Sequence, residues 1–221
     1  MKLLEILDEA RAPDGTLLAL ARHDRELLIL AGGRPLMSSR MHGSEQALAT
    51  LGCARVPREA PRVLIGGLGM GFTLRAVLDL LSTDATVEVA ELAAAVVDWN
   101  RGPLGPLADH PLRDRRVRVR VEDVASALRE HPATFDAILL DVDNGPDAFT
   151  AGGNAALYGE AGIATARDAL RPGGTLAVWS AWESRAFGRR LRHAGFEVRV
   201  ERVRGRANRR GPRHTIFLAR R

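Results

Sequence analysis

The sequence predicts an α/β fold: a mostly parallel, Rossmann-like sheet that ends in an antiparallel hairpin and is preceded by a small β-rich lead-in. From residue 62 onward, short apolar runs alternate with segments of helical spacing, the pattern of a parallel sheet covered on both faces. The first run (Val63, Leu64, Ile65) passes through Gly66, Gly67, Gly69 and Gly71 straight into Phe72, Leu74, Val77, Leu78 and Leu81, which makes a strand, a glycine turn and a helix. The last two runs, residues 196–203 and 214–219, are joined by an arginine-rich turn with no helix between them.

Residues 1–57 read differently from the rest. Segments 16–21 and 26–31 are apolar and flank His23-Asp24-Arg25, which predicts a hairpin. Gly32-Gly33 makes a second turn before a short strand at 35–39. Ser44 is placed to cap a helix over 45–51. A segment this small cannot bury a core of its own and is expected to pack on the larger domain. The stretch between Pro57 and Pro61 is the expected boundary, giving a lead-in at 1–57 and a Rossmann-like domain at 58–221.

In the larger domain, residues 85–90 form the second expected strand, ending at Glu91. A helix follows through Val96, Val97 and Trp99 and stops at Gly102-Pro103. Residues 116–121 alternate strictly and predict a third strand, after which Asp123 leads into a helix reaching about Arg129. Residues 135–140 are the fourth strand, with Asp141 at its end. A glycine-containing loop over 145–159 precedes a helix at 163–170 that Pro172-Gly173-Gly174 should terminate. Strand 175–180, helix 183–193 and the closing hairpin complete the order. A terminal hairpin distinguishes a methyltransferase-type sheet from the ordinary dinucleotide sheet.

Composition narrows the function classes. The 221 residues are 46% hydrophobic and 27% charged, ordinary values for a globular chain. No apolar run approaches the ~20 residues of a membrane span. The acids within MKLLEILDEAR argue against a signal peptide. Cys53 is the only cysteine, which fits a cytoplasmic setting. The net charge of +5 invites nucleic acid, but of 32 basic residues only Lys2 is lysine, a bias expected of GC-rich coding. The cluster Arg199, Arg202, Arg204, Arg206, Arg209, Arg210 and Arg213 reads as a solvated turn before it reads as an RNA contact. The six histidines show no ligand spacing, so no metal is expected.

Ligands of open parallel sheets bind beyond the carboxyl ends of the strands. The glycine turn (Gly67, Gly69, Gly71), Glu91, Asp123 and Asp141 all stand there. Helix-start N–H groups and glycines accept a close-lying ligand. Glu91, about twenty residues beyond the glycines, can accept from two ribose hydroxyls. Asp123 can accept from an adenine amino group. Each acid alone reads as a helix cap or a solvated residue; together they describe a site for an adenosyl ligand.

These residues carry a family resemblance. The chain resembles the spermidine synthases, or polyamine aminopropyltransferases, of the class I S-adenosylmethionine-dependent fold. The similar stretches are RELLILAGGRPLMSSRMHGSEQALATL, VLIGGLGMGFTLRAVL, VAEL, VEDVASAL, FDAILLDVDNGP and ALRPGGTLAVWSA, in the family's order. The resemblance implies decarboxylated S-adenosylmethionine as donor, with Glu91 on the ribose, Asp123 on the adenine and Asp141 as the catalytic group facing a small-molecule amine. It also implies a homodimer. Departures accompany it: Met70 stands where the family's glycine loop carries an aspartate, Ser44-Glu45 replaces a tyrosine–glutamine pair, and the acceptor motif reads Asp141-Val142-Asp143-Asn144. Glu45, Asp143 and Asp147 are candidates for an acidic acceptor site, or else solvated loop residues. Tyr158, the only tyrosine, is a candidate to stack on substrate, or else a packing residue. A methyltransferase using intact S-adenosylmethionine on another small acceptor, and a non-catalytic adenosyl- or RNA-binding protein, are the alternative readings.

Overall fold

The computed structural model describes residues 4–142, 145–146, 156–206 and 211–221. Four strands, β1 (Glu5–Arg11), β2 (Leu17–His23), β3 (Glu26–Ala31) and β4 (Arg34–Ser38), pair antiparallel in sequence order. The sequence pattern does not announce β1, because Glu5, Asp8 and Glu9 interrupt its apolar residues. Its place explains them: β1 is an edge strand, and Asp8 accepts a 2.7 Å hydrogen bond from the Trp99 indole of the larger unit. One face of this sheet buries Leu18, Leu20 and Ile29 in the same core as Leu68, Met70 and Trp99. Each such side chain contributes roughly 1.5–3 kcal/mol on burial, which holds the lead-in against its neighbour.

The helix α1 spans Gly43–Gly52 and starts earlier than its pattern suggested. Ser44 is not its cap. His42 holds the cap position, the Gly43 amide donates instead to the carbonyl of Gly205 at 3.0 Å, and Ser44 lies inside the first turn.

The second sheet has seven strands: β5 (Arg62–Gly66), β6 (Thr86–Glu91), β7 (Val117–Val121), β8 (Phe135–Leu140), β9 (Leu170–Ser180), β10 (Glu197–Arg204) and β11 (Arg213–Arg220). Their order is β10-β11-β9-β8-β5-β6-β7, parallel from β9 to β7, with β11 antiparallel between β9 and β10. The central strand β5 is apolar on both faces because both are covered. On one side lie α1, α2 (Phe72–Leu80) and α3 (Ala94–Arg101), packed through Leu48, Leu74, Val77, Val97 and Trp99. On the other lie α4 (Val124–Glu130), α5 (Glu160–Ala169) and α6 (Arg185–His193), packed through Leu128, Ile163, Phe187 and Leu191.

The expected stop at Pro172-Gly173-Gly174 falls elsewhere. The helix α5 already ends at Ala169, and β9 begins at Leu170 with a register break before Thr175. The two glycines are drawn into the sheet region by the chain's last residue: Gly173 donates to the Arg221 carbonyl and the Arg221 amide donates to Gly174. Between α3 and β7 two short 3-10 turns, Gly105–Ala108 and Pro111–Arg113, fill a stretch that carries no periodic signal.

Candidate active site

The site begins with the turn between β5 and α2. Gly67 has φ +88°, and a Cβ there would lie 2.4 Å from the Asp141 carbonyl oxygen. Only glycine fits, because two backbones meet at that point. The Gly67 amide donates to Ala90 and the Asp141 amide to Gly66, so β5 is tied on both sides just where the ligand end opens. The next glycine of the turn, Gly69, has φ +52° and lies under Met37 of β4, whose terminal methyl would be 2.7 Å from an added Cβ. The lead-in therefore rests directly on the glycine turn. Gly71 stands immediately before α2. Met70 is 1% exposed and belongs to the core shared with the lead-in.

Glu91, buried at the end of β6, accepts from the Leu68 amide at 2.8 Å and from the Ala93 amide at 2.9 Å. It braces the glycine turn. An ionised carboxylate has about four acceptor positions, so lone pairs remain after these two bonds. The Glu122 amide donates to the Glu91 carbonyl, and Glu91 pairs in register with Val121. Asp123 is therefore at the same end of the sheet, one strand over. It is exposed and caps α4, accepting from the Ala125 amide at 2.9 Å.

Asp141 follows β8 and is half-buried, and its carboxylate accepts a 2.6 Å hydrogen bond from the Thr73 hydroxyl in the first turn of α2. Glu45, 8% exposed, accepts from the Ser44 hydroxyl at 2.7 Å and feels the charge of Asp141. The sequence did not bring Thr73 to light; it offered Glu45 as a candidate for an acidic acceptor site, and the fold sets Glu45 within electrostatic reach of Asp141. Burial lifts the Asp141 carboxyl to about 6, against the Thr73 bond that favours its ionised form. Burial, and then the negative charge of Asp141, lifts Glu45 to about 7, against the Ser44 bond. Two carboxyl groups this close hold fewer than two charges at neutral pH until a cation joins them. A carboxylate titrating near 6 is suited to accept a proton from a nearby amine.

Tyr158 is 3% exposed; its hydroxyl donates to the Val142 carbonyl at 3.3 Å and its ring meets Phe187 edge-on at 5.7 Å. It braces the chain just beyond Asp141 and offers no open face. Asp143 and Asp147 lie outside the described residues. A cavity of about 230 Å³ opens on the flank between α1 and α2, lined by His42, Gln46, Phe72 and Arg75 among others; Glu91, Asp123 and Asp141 do not line it. Among the described residues no cluster of three or more His, Cys, Asp or Glu is arranged to hold a metal ion.

The family model for the spermine/spermidine synthase domain matches residues 20–184, a span that includes α1, the glycine turn, Glu91, Asp123 and Asp141. The chain belongs to the spermine/spermidine synthase family. It is a transferase, and aminopropyl transfer is supported over both the methyltransferase reading and the non-catalytic binding-protein reading. Solved structures agree in fold. The spermidine synthase of Thermotoga maritima superposes with a TM-score of 0.77 at 18% identity, over 98% of this chain and 72% of that one. A spermidine synthase in complex with the transition-state analogue AdoDATO gives 0.76 at 18% identity, with the same coverage. A probable spermidine synthase from Corynebacterium glutamicum gives 0.68 at 18% identity, over 97% of this chain and 80% of that one. No curated protein sequence matches the chain. Among the described residues no helix is long and apolar enough to cross a membrane.

Proposed function

We propose that this spermine/spermidine synthase family member moves the aminopropyl group of decarboxylated S-adenosylmethionine to a small amine, with Asp141 as the catalytic carboxylate. The observation that carries this reading is the pair of carboxyl groups, Asp141 and Glu45, beside the glycine turn. The adenosyl half of the donor spans β6 and β7. Glu91 holds the ribose with the acceptor positions left over from bracing the turn, and Asp123 meets the adenine amino group. The glycine turn of Gly67, Gly69 and Gly71 runs beneath it. The donor's terminal ammonium and the acceptor amine are the cations that the carboxyl pair lacks when empty. Glu45 supplies the negative charge that Met70 does not.

In the reaction the acceptor nitrogen uses its lone pair to form a bond to the aminopropyl carbon attached to sulfur. The carbon–sulfur bond breaks and its electron pair returns to the sulfonium sulfur, which leaves as the neutral thioether 5′-methylthioadenosine. The proton shed by the amine passes to Asp141. Alignment of the two reactants supplies much of the acceleration, so no covalent intermediate is needed. We place the reaction in the cytoplasm and expect a homodimer, on the strength of the family and the single cysteine. Asp143 remains a proposed acceptor contact by sequence, and Tyr158 is assigned to support of the Asp141 segment.

The direct test is Asp141→Asn. Release of 5′-methylthioadenosine should fall by about 10²–10⁴, the range for loss of a positioned proton acceptor, while the fold and 5′-methylthioadenosine binding are retained. Undiminished turnover would remove Asp141 from the mechanism.

A further inference from the structure

The charge of this chain is unevenly placed. Residues 183–221 hold 13 arginines and 3 glutamates, a net charge of +10, whereas residues 1–182 hold 19 basic and 24 acidic residues, a net charge of −5. A coding preference for arginine acts along the whole chain and leaves this imbalance unexplained. Segregation of charge on such a scale marks contact with a polyanion.

The fold gathers much of the excess on one face of the seven-stranded sheet, opposite the face that carries α1, α2 and the carboxyl pair. Phe187 and Leu191 fix α6 to that face, and Phe187 meets Phe217 of β11 edge-on at 5.1 Å. Arg185, Arg189 and Arg192, spaced i, i+4, i+7, form an exposed stripe along the outer side of α6. Val198 and Val200 of β10 pack into the core beneath α6, so Arg202 and Arg204 lie on the same face further along the strand. By the same alternation Arg213 shares the face with Phe217, and it stands directly opposite Arg204 in the ladder. Glu183, just before α6, joins the two groups through a 2.6 Å ion pair with Arg202.

That acid answers only one of the six exposed arginines. Among the described residues Arg185, Arg189, Arg192, Arg204 and Arg213 form no ion pair; Arg192 donates to the Gly188 carbonyl and Arg204 to the Gly211 carbonyl, each at 3.2 Å. Like charges directly opposite each other across two strands are destabilising, and an anion lying between Arg204 and Arg213 would offset that cost. At the near end of α6 the Trp182 indole is 51% exposed. Arginines flanking an open aromatic ring suit a chain of phosphates and bases. A bilayer fits less well, because the apolar side of α6 is used up in the core and leaves nothing to insert.

We propose that this face binds a single strand of nucleic acid, with phosphates on Arg185, Arg189, Arg192, Arg204 and Arg213 and a base stacked on Trp182. The site is separate from the carboxyl pair and does not depend on the transfer reading.

The test is fluorescence anisotropy of labelled single-stranded RNA and DNA of one mixed sequence, about 16 nucleotides long, with the full chain. Both strands should bind, since neither contact reads the sugar, and the tighter one identifies the source. With about five phosphates neutralised, the slope of log affinity against log salt should be about −3.5, a loss of about a hundred-fold from about 50 to 200 mM salt. Replacing Arg185, Arg189 and Arg192 together by serine should remove about two units of that slope and at least ten-fold in affinity at the lower salt. Trp182→Ala should weaken binding about ten-fold with the slope unchanged. A control with serine at Arg25, Arg34 and Arg58, all exposed on the lead-in and the boundary, removes the same net charge and should leave affinity nearly unchanged. Thermal melts confirm the fold of each variant, and release of 5′-methylthioadenosine should be unaltered in the α6 variant. No saturable binding at the lower salt, an equal loss in the control, or tighter binding to phosphatidylserine vesicles than to either strand overturns the proposal.

Discussion

The Thr73 hydroxyl and the Asp141 carboxylate are joined across 2.6 Å, linking the first turn of α2 to the end of β8. This bond favours the ionised form of a group that burial would otherwise keep protonated. Thr73→Val should therefore raise the pKa of Asp141 and move the acidic limb of the kcat/KM profile to higher pH. Hydrogen bonds to charged groups contribute about 1.5–3 kcal/mol, roughly one to two pKa units, so a loss of about two- to fifteen-fold at pH 7 is expected. An unmoved acidic limb would show that Thr73 only packs.

Gly67 should be intolerant of any side chain. An alanine there combines a φ of +88° with a Cβ 2.4 Å from the Asp141 carbonyl. Gly15 has a similar φ of +84° with nothing within 4 Å of the added Cβ. Gly15→Ala should cost about 1–2 kcal/mol, the left-handed penalty alone. Gly67→Ala should cost more than about 3 kcal/mol and abolish turnover, since backbone strain and displacement of Asp141 add to that penalty. Urea denaturation compares the two, and equal costs would mean that the close approach at Asp141 yields freely.

Glu45 predicts a pH signature in stability. Its carboxyl titrates near 7 in the folded chain, above its unfolded value of 4.5. The folded state thus binds the proton more tightly, and the stability this contributes is fully present below pH 4.5 and lost as pH rises through 7. The variant Glu45→Gln has nothing to ionise there. Its stability relative to wild type should increase between pH 4.5 and 7.5 by on the order of 2 kcal/mol, read from urea midpoints at each pH. A pH-independent difference would mean that Glu45 is solvated and ionised throughout.

Asp123 has two roles that one substitution can separate. Serine at this position can still cap α4 but is too short to reach an adenine amino group. Asp123→Ser should leave stability within about 0.5 kcal/mol, because serine and aspartate cap nearly equally well. Its affinity for 5′-methylthioadenosine should fall about ten-fold, the scale of one hydrogen bond to a charged group. Unchanged affinity would reduce Asp123 to a cap.

Much of this site was legible because its residues obey local rules. Glu91 and Asp141 end short apolar runs and Asp123 follows a strictly alternating one, and a parallel sheet brings the ends of such strands to one edge. The terminal hairpin was legible for a similar reason: the turn after Val203 contains no helical spacing. The misreadings are all places where a distant partner decides. Ser44 looks like a cap, but Gly43 finds its acceptor at Gly205, and the hydroxyl turns to Glu45 instead. The apolar pattern of β1 is broken by Asp8, whose partner Trp99 is 91 residues away. Thr73 is an ordinary helix residue until the fold carries Asp141 to it from 68 residues along the chain. Pairings of this kind leave no periodic trace.

The central claim is that a cationic aminopropyl group lies beside the Glu45 and Asp141 carboxyls, and a calorimetric comparison of the two donor forms tests this most directly. Decarboxylated S-adenosylmethionine should bind at least ten-fold more tightly than intact S-adenosylmethionine, whose extra carboxylate meets two acids at close range. Tighter binding of the intact form would contradict the claim and point to methyl transfer.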